Sequence, residues 1–156
     1  YGSFVTQMRV NELGDVRVTG DFDVDGNKNF VEPVETDEGE KEVVYTASEA
    51  AEARTEASGV AKVEDGRAVI ELPDHFDWVT SDDEPLVVET TPYASEPVQP
   101  QVTEGSTDRI VIEDFAGVDE YEVAYTVKGT RVGQEDKQVV REPTATGPSP
   151  APADDD

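Results

Sequence analysis

Apolar and polar positions alternate most regularly in YEVAYTV, where Tyr121, Val123, Tyr125 and Val127 share one side of an extended chain. A period of two over seven residues predicts a strand whose Tyr/Val face enters the core. VVYTA at 43–47 has the branched and aromatic content of another strand. SGVAKV and RAVIEL, separated by EDG, predict two strands joined as a hairpin through an Asp65-Gly66 turn. Pro73 ends the second. DHFDWVTSDDE then reads as one helical turn, with Asp74 as cap and Phe76 and Trp78 or Val79 as apolar anchors. PLVVETTPY, EPVQPQV, DRIVIED and YEVAYTVKG follow as short strands set off by Pro, Gly or Asp. So many short strands with scarcely any helix predict an all-β fold, an antiparallel β-sandwich or barrel-like domain.

The pattern before residue 43 is sparser. Val16, Val18, Phe22 and Val24 mark short extended pieces, and Val18-Thr19-Gly20 recurs six residues later as Val24-Asp25-Gly26. Apolar-x-Gly at that spacing suits short strands that turn at each glycine, as in a β-prism or β-helix-like stalk. Strands this short bury too little alone, so the stalk is expected to need neighbouring chains, most simply as a trimer. PVETDEGEKE at 33–42 reads as a loop, and 130–142 as a transition holding one exposed strand. From Pro143 the Pro/Ala/Ser tract with its terminal acids has nothing to bury and reads as a flexible tail. The expected division is therefore a stalk at 1–32, a β-rich globular domain at 33–142 and a tail at 143–156.

Charge changes the picture most. The 156 residues carry 37 Asp plus Glu against 12 Lys plus Arg, a formal net charge of -25. Self-repulsion of that size opposes compaction in dilute buffer, whereas molar salt shortens the Debye length to about 3 Å. The acids are spread among β-branched residues rather than blocked together, which separates a salt-adapted globular chain from an acidic disordered one. The expected source is a halophile, either haloarchaeal or a virus of one. No basic face is available to nucleic acid. No apolar run is long enough to span a bilayer, so membrane insertion is not expected. The first residue is Tyr rather than Met, which reads as a fragment or a processed product. Without cysteine there are no disulfides, thiolate metal sites or cysteine nucleophiles.

DFDVDGNKNFVE matches the calcium-loop template, with Asp21, Asp23, Asp25 and Glu32 as oxygen ligands and Gly26 at the bend. Lys28 stands where paired loops carry an apolar residue, and strand-like segments flank the loop in place of helices. The favoured reading makes these acids solvent-facing, with no cofactor and at most loosely held calcium or other cations. His75, the single histidine, sits in a capped turn and reads as a structural or surface residue. Carboxylate pairs are abundant, but none is singled out by an aromatic-lined segment as a glycosidase pair would be. Tyr93 in TTPYASEP is the candidate for stacking on a glycan.

An ordered set of motifs over residues 16–140 resembles a carboxy-terminal β domain of phage-type tail fibre and spike proteins. It comprises the V-x-G repeats, then Gly26, Lys28 and Phe30, then Tyr45. Gly66, Ala68, Ile70, Leu72, Pro73 and Phe76 follow, then Val88, Thr91 and Pro92, and finally Val127, Gly129 and Arg131. The chain departs from that pattern at Glu32-Pro33 and at Glu49-Ala50-Ala51-Glu52. The resemblance implies a non-enzymatic homotrimeric appendage on a virion surface, joined to other virion proteins and meeting a host-surface glycoprotein or glycan. The alternative is a secreted or cell-surface β-sandwich binding module of a halophilic archaeon. An enzyme acting on carbohydrate stands third.

Overall fold

The computed structural model describes residues 8–20, 22–24 and 26–142, and the tail expected at 143–156 lies outside them. The chain divides into two compact units, the second of which is Ala50–Glu142. The boundary therefore falls at residue 49 and not at 32. The reason is local: the segment read as a loop at 33–42 is paired strand, and that pairing keeps it with the residues before it.

In the second unit β5 (Arg54–Val63), β6 (Arg67–Glu71), the one-turn helix α1 (Asp74–Asp77), β7 (Val87–Tyr93), β8 (Pro100–Gly105), β9 (Arg109–Asp114) and β10 (Tyr121–Thr130) follow in order. They form two three-stranded antiparallel sheets, β5-β10-β7 and β6-β9-β8. Val63, Tyr121, Val123 and Val127 from one sheet meet Ala68, Ile70, Ile110 and Ile112 from the other in a single apolar cluster. Leu72 and Phe76 join the same cluster. The all-β, antiparallel, sandwich-like expectation holds for this unit.

Asp65 (φ 51°) and Gly66 (φ 73°) both lie in the left-handed region. That is the two-residue hairpin turn the sequence predicts, and the Glu64 and Arg67 amides each donate to the other's carbonyl at 3.0 Å. The strands do not continue as a hairpin. Past the bridge, β5 takes β10 as partner from Tyr121↔Val63 to Thr130↔Arg54, while β6 takes β9. The turn is a corner between sheets, because separating the strands places an apolar face of each on the shared core.

Three side chains differ from expectation. Pro73, not Asp74, holds the N-cap position of α1, with no side-chain cap bond. Phe76 is the true anchor at 2% exposed, whereas Trp78 is 73% exposed. Tyr125 is half-buried, and its ring lies so close to Gly59 that a Cβ there would meet Oη at 2.7 Å. Glycine in mid-strand is what admits the ring.

The first unit holds two separate hairpins. β1 (Met8–Val10) pairs with β2 (Val16–Val18), and β3 (Asn29–Thr36) pairs with β4 (Gly39–Thr46). The β1–β2 turn is tied by Asn11, whose Oδ1 accepts from the Leu13 and Asp15 amides at 3.0 and 2.9 Å. At the other turn Gly39 (φ 101°) follows Asp37-Glu38, and the Thr36 hydroxyl donates to the Gly39 carbonyl at 2.8 Å. Only the first V-x-G copy is strand. Residues 22–24 are irregular, so the six-residue repeat does not build successive strands. Among the described residues of this unit no side chain is buried, and only Val18, Val34 and Val43 reach half-burial.

Candidate binding face

Strand alternation divides β5, β10 and β7 into an inner face on the core and an outer face in solvent. Antiparallel register then lays the outer residues in rows. Tyr93 sits beside Glu122, with Lys62 beyond it; Thr91 beside Ala124 and Val60; Glu89 beside Thr126 and Ser58; Val87 beside Lys128 and Glu56. Arg54 faces Thr130 at the far end. The rows hold three bases (Arg54, Lys62, Lys128) and three acids (Glu56, Glu89, Glu122), a balance of zero in a chain of net charge -25. Lys128 pairs with Glu89 at 2.9 Å, and Lys62 with Glu64 at 2.7 Å. The Glu64 hydrogen bond, with Glu120 close by, holds the Lys62 ammonium above the usual lysine pKa. The face is thus charge-balanced, with Thr91, Ala124, Val60, Thr126 and Ser58 between the charged rows and an aromatic at one end.

Tyr93 is 59% exposed and is the last residue of β7, within the strand expected for PLVVETTPY. The segment after it is anchored by Asp114. One Asp114 oxygen accepts from the Gln99 amide at 2.6 Å and from the Tyr121 hydroxyl at 3.3 Å, the other from the Val118 amide at 3.0 Å. Burial opposes the Asp114 charge, but the Val118 and Gln99 amides with the Tyr121 hydroxyl more than offset it, leaving the carboxyl below its ordinary pKa. Burial, then the Asp114 charge, pushes the Tyr121 phenol up to about 12. This knot fixes the chain entering β8 at Gln99 against the start of β10 at Tyr121.

The calcium candidates are not assembled by the described residues. Asp21 and Asp25 lie outside them, Asp23 is exposed in irregular chain, and Glu32 is in β3 opposite Val43. Strand, not helix, follows the loop. Among the described residues no group of three or more His, Asp or Glu side chains is placed to hold a metal. His75 is exposed on α1. Glu64, Asp108, Asp114 and Glu135 all have lowered pKa values, the opposite of what a general acid requires. Of the apolar anchors expected in the turn, Phe76 is buried, while Trp78 and Val79, the alternatives for the second, are both exposed. Among the described residues no helix is long and apolar enough to cross a membrane.

No protein-family model, curated protein or solved structure matches the chain.

Proposed function

We propose that the chain is a non-enzymatic structural and adhesion module from a fibre or spike of a haloarchaeal virus. It works on the virion surface as a homotrimer, joins other virion proteins and attaches to a host-surface glycoprotein or glycan. The observation that carries this reading is the pair of hairpins before residue 49. Met8, Val10, Val16 and Val18 share one face of the first, while Phe30 and Tyr45 on one face and Val31 and Val44 on the other flank the second. All but the half-buried Val18 are exposed. A two-stranded ribbon is marginal alone in water, and one apolar on both faces needs cover on both sides. Neighbouring copies provide it. The acid excess supports the halophilic source, since molar salt screens repulsion between copies. In this reading the module needs no cofactor, and cations, calcium included, are held loosely by surface acids.

The neutral outer face of β5-β10-β7 is the host-contact surface, with Tyr93 as its aromatic platform. Purified chain is expected to adsorb to haloarchaeal cell envelopes in molar salt, and Tyr93→Ala to weaken adsorption about tenfold, as loss of an aromatic anchor does. Unchanged adsorption would remove this face from the host contact. A second reading, a binding module on the surface of a halophilic archaeon, draws on the Ala50–Glu142 unit having a core of its own. It differs in expecting a monomer.

A further inference from the structure

Each hairpin of the first unit carries a like-charge pair in directly opposed positions. Arg9 faces Arg17 across β1–β2, and Glu35 faces Glu40 across β3–β4, with Glu42 on the same side as Glu40. Like charges directly opposite on an antiparallel pair destabilise it. The other bases of this unit are partnered, Lys28 with Glu49 at 3.0 Å and Lys41 with Glu38 at 3.6 Å. Arg9 and Arg17 make no ion pair among the described residues, in a chain with three times as many acids as bases. Glu35 and Glu40 make none either, and among the described residues no ion pair joins the two hairpins.

Resting on the reading that the chain assembles with itself, we infer that Arg9 and Arg17 of one copy bind Glu35 and Glu40 of the next. The charges are complementary. Both pairs have the same geometry, two side chains about 5 Å apart at Cβ on a ribbon, so two guanidinium groups can meet two carboxylates at once. At molar salt the Debye length of about 3 Å screens repulsion between whole copies; exposed ion pairs weaken too, so the contact rests on bidentate guanidinium–carboxylate hydrogen bonding. Each copy carries one surface of each kind, so repetition by rotation satisfies both, and a ring of three accords with the proposed trimer.

The test is assembly of the full chain, followed by sedimentation at a fixed salt concentration where the wild type associates. Arg9→Glu with Arg17→Glu is expected to weaken association by about tenfold or more, as like charges then face each other across the contact. Glu35→Arg with Glu40→Arg should do the same, and the fourfold variant combining both reversals should recover wild-type association. Equal association of the reversed and wild-type chains, or no recovery in the combined variant, would overturn the contact while leaving self-assembly standing. A wild type that never associates would instead remove the assembly reading on which the contact rests. Unaltered circular dichroism from the Ala50–Glu142 sandwich serves as the folding control in every variant.

Discussion

Phe76→Ala is expected to destabilise the Ala50–Glu142 unit by about 3–5 kcal/mol, the usual range for truncating a buried aromatic. The ring is 2% exposed and belongs to the core cluster formed by both sheets. Its helix is one turn long, so little local structure could refill the space by shifting. A loss of that size is a large share of the roughly 5–15 kcal/mol that holds a small domain folded. Trp78→Ala, two residues on and 73% exposed, should change stability by about 0.5 kcal/mol or less. Urea melts of the two variants at constant salt make the comparison. Equal losses would mean that Trp78 anchors the helix as much as Phe76 does.

Gly129→Ala is expected to cost about 2–3 kcal/mol, near the upper end for overpacking. A Cβ at Gly129 collides with the Thr80 methyl and lies 2.9 Å from Leu86 Cδ2. Thr80 cannot turn aside cheaply. It is buried, and its hydroxyl bonds the Phe76 carbonyl at 2.5 Å and the Thr55 hydroxyl at 2.7 Å. The chain on either side of Thr80 is also bonded to the end of β10, Ser81 N to the Thr130 carbonyl at 2.8 Å and Val132 N to the Val79 carbonyl at 2.9 Å. At Gly59 the atoms nearest an added Cβ belong to the half-buried Tyr125 ring, the closest at 2.7 Å, and Gly59→Ala should be the milder change. Thermal melts of the two variants should rank them in that order; a smaller loss at Gly129 would show that the Thr80 clamp is soft.

The sequence was most readable where a residue has one physical role. Asp65-Gly66 is a turn because two adjacent left-handed positions favour that pair, and it is found as such. Tyr121, Val123 and Val127 are buried because a strict period of two leaves them one face. The partners of the turn's two strands were not legible. β5 pairs with β10, some sixty residues away, and nothing local in SGVAKV distinguishes that from pairing with RAVIEL. Acids misled the reading at 33–42, since Glu32, Glu35, Glu40 and Glu42 on an exposed ribbon need no apolar partner and so leave no alternation to detect. The neutral outer face was hidden for a related reason. Its balance of Lys62, Lys128 and Arg54 against Glu56, Glu89 and Glu122 exists only once three strands are in register. Gly66, Ala68, Ile70, Leu72, Phe76, Val127 and Gly129, on which the expectation of a fibre or spike domain largely rested, occupy turn, core and close-approach positions. They specify packing, and packing bears on fold more directly than on function.

Self-assembly is the central claim, and mass in solution tests it most directly. In molar salt, light scattering coupled to size exclusion should give three times the 16.9 kDa chain mass for the full chain. The same measurement on residues 50–142 alone should give a monomer, because the uncovered ribbons lie before residue 50. A full chain that remains at 16.9 kDa at every concentration would contradict the account.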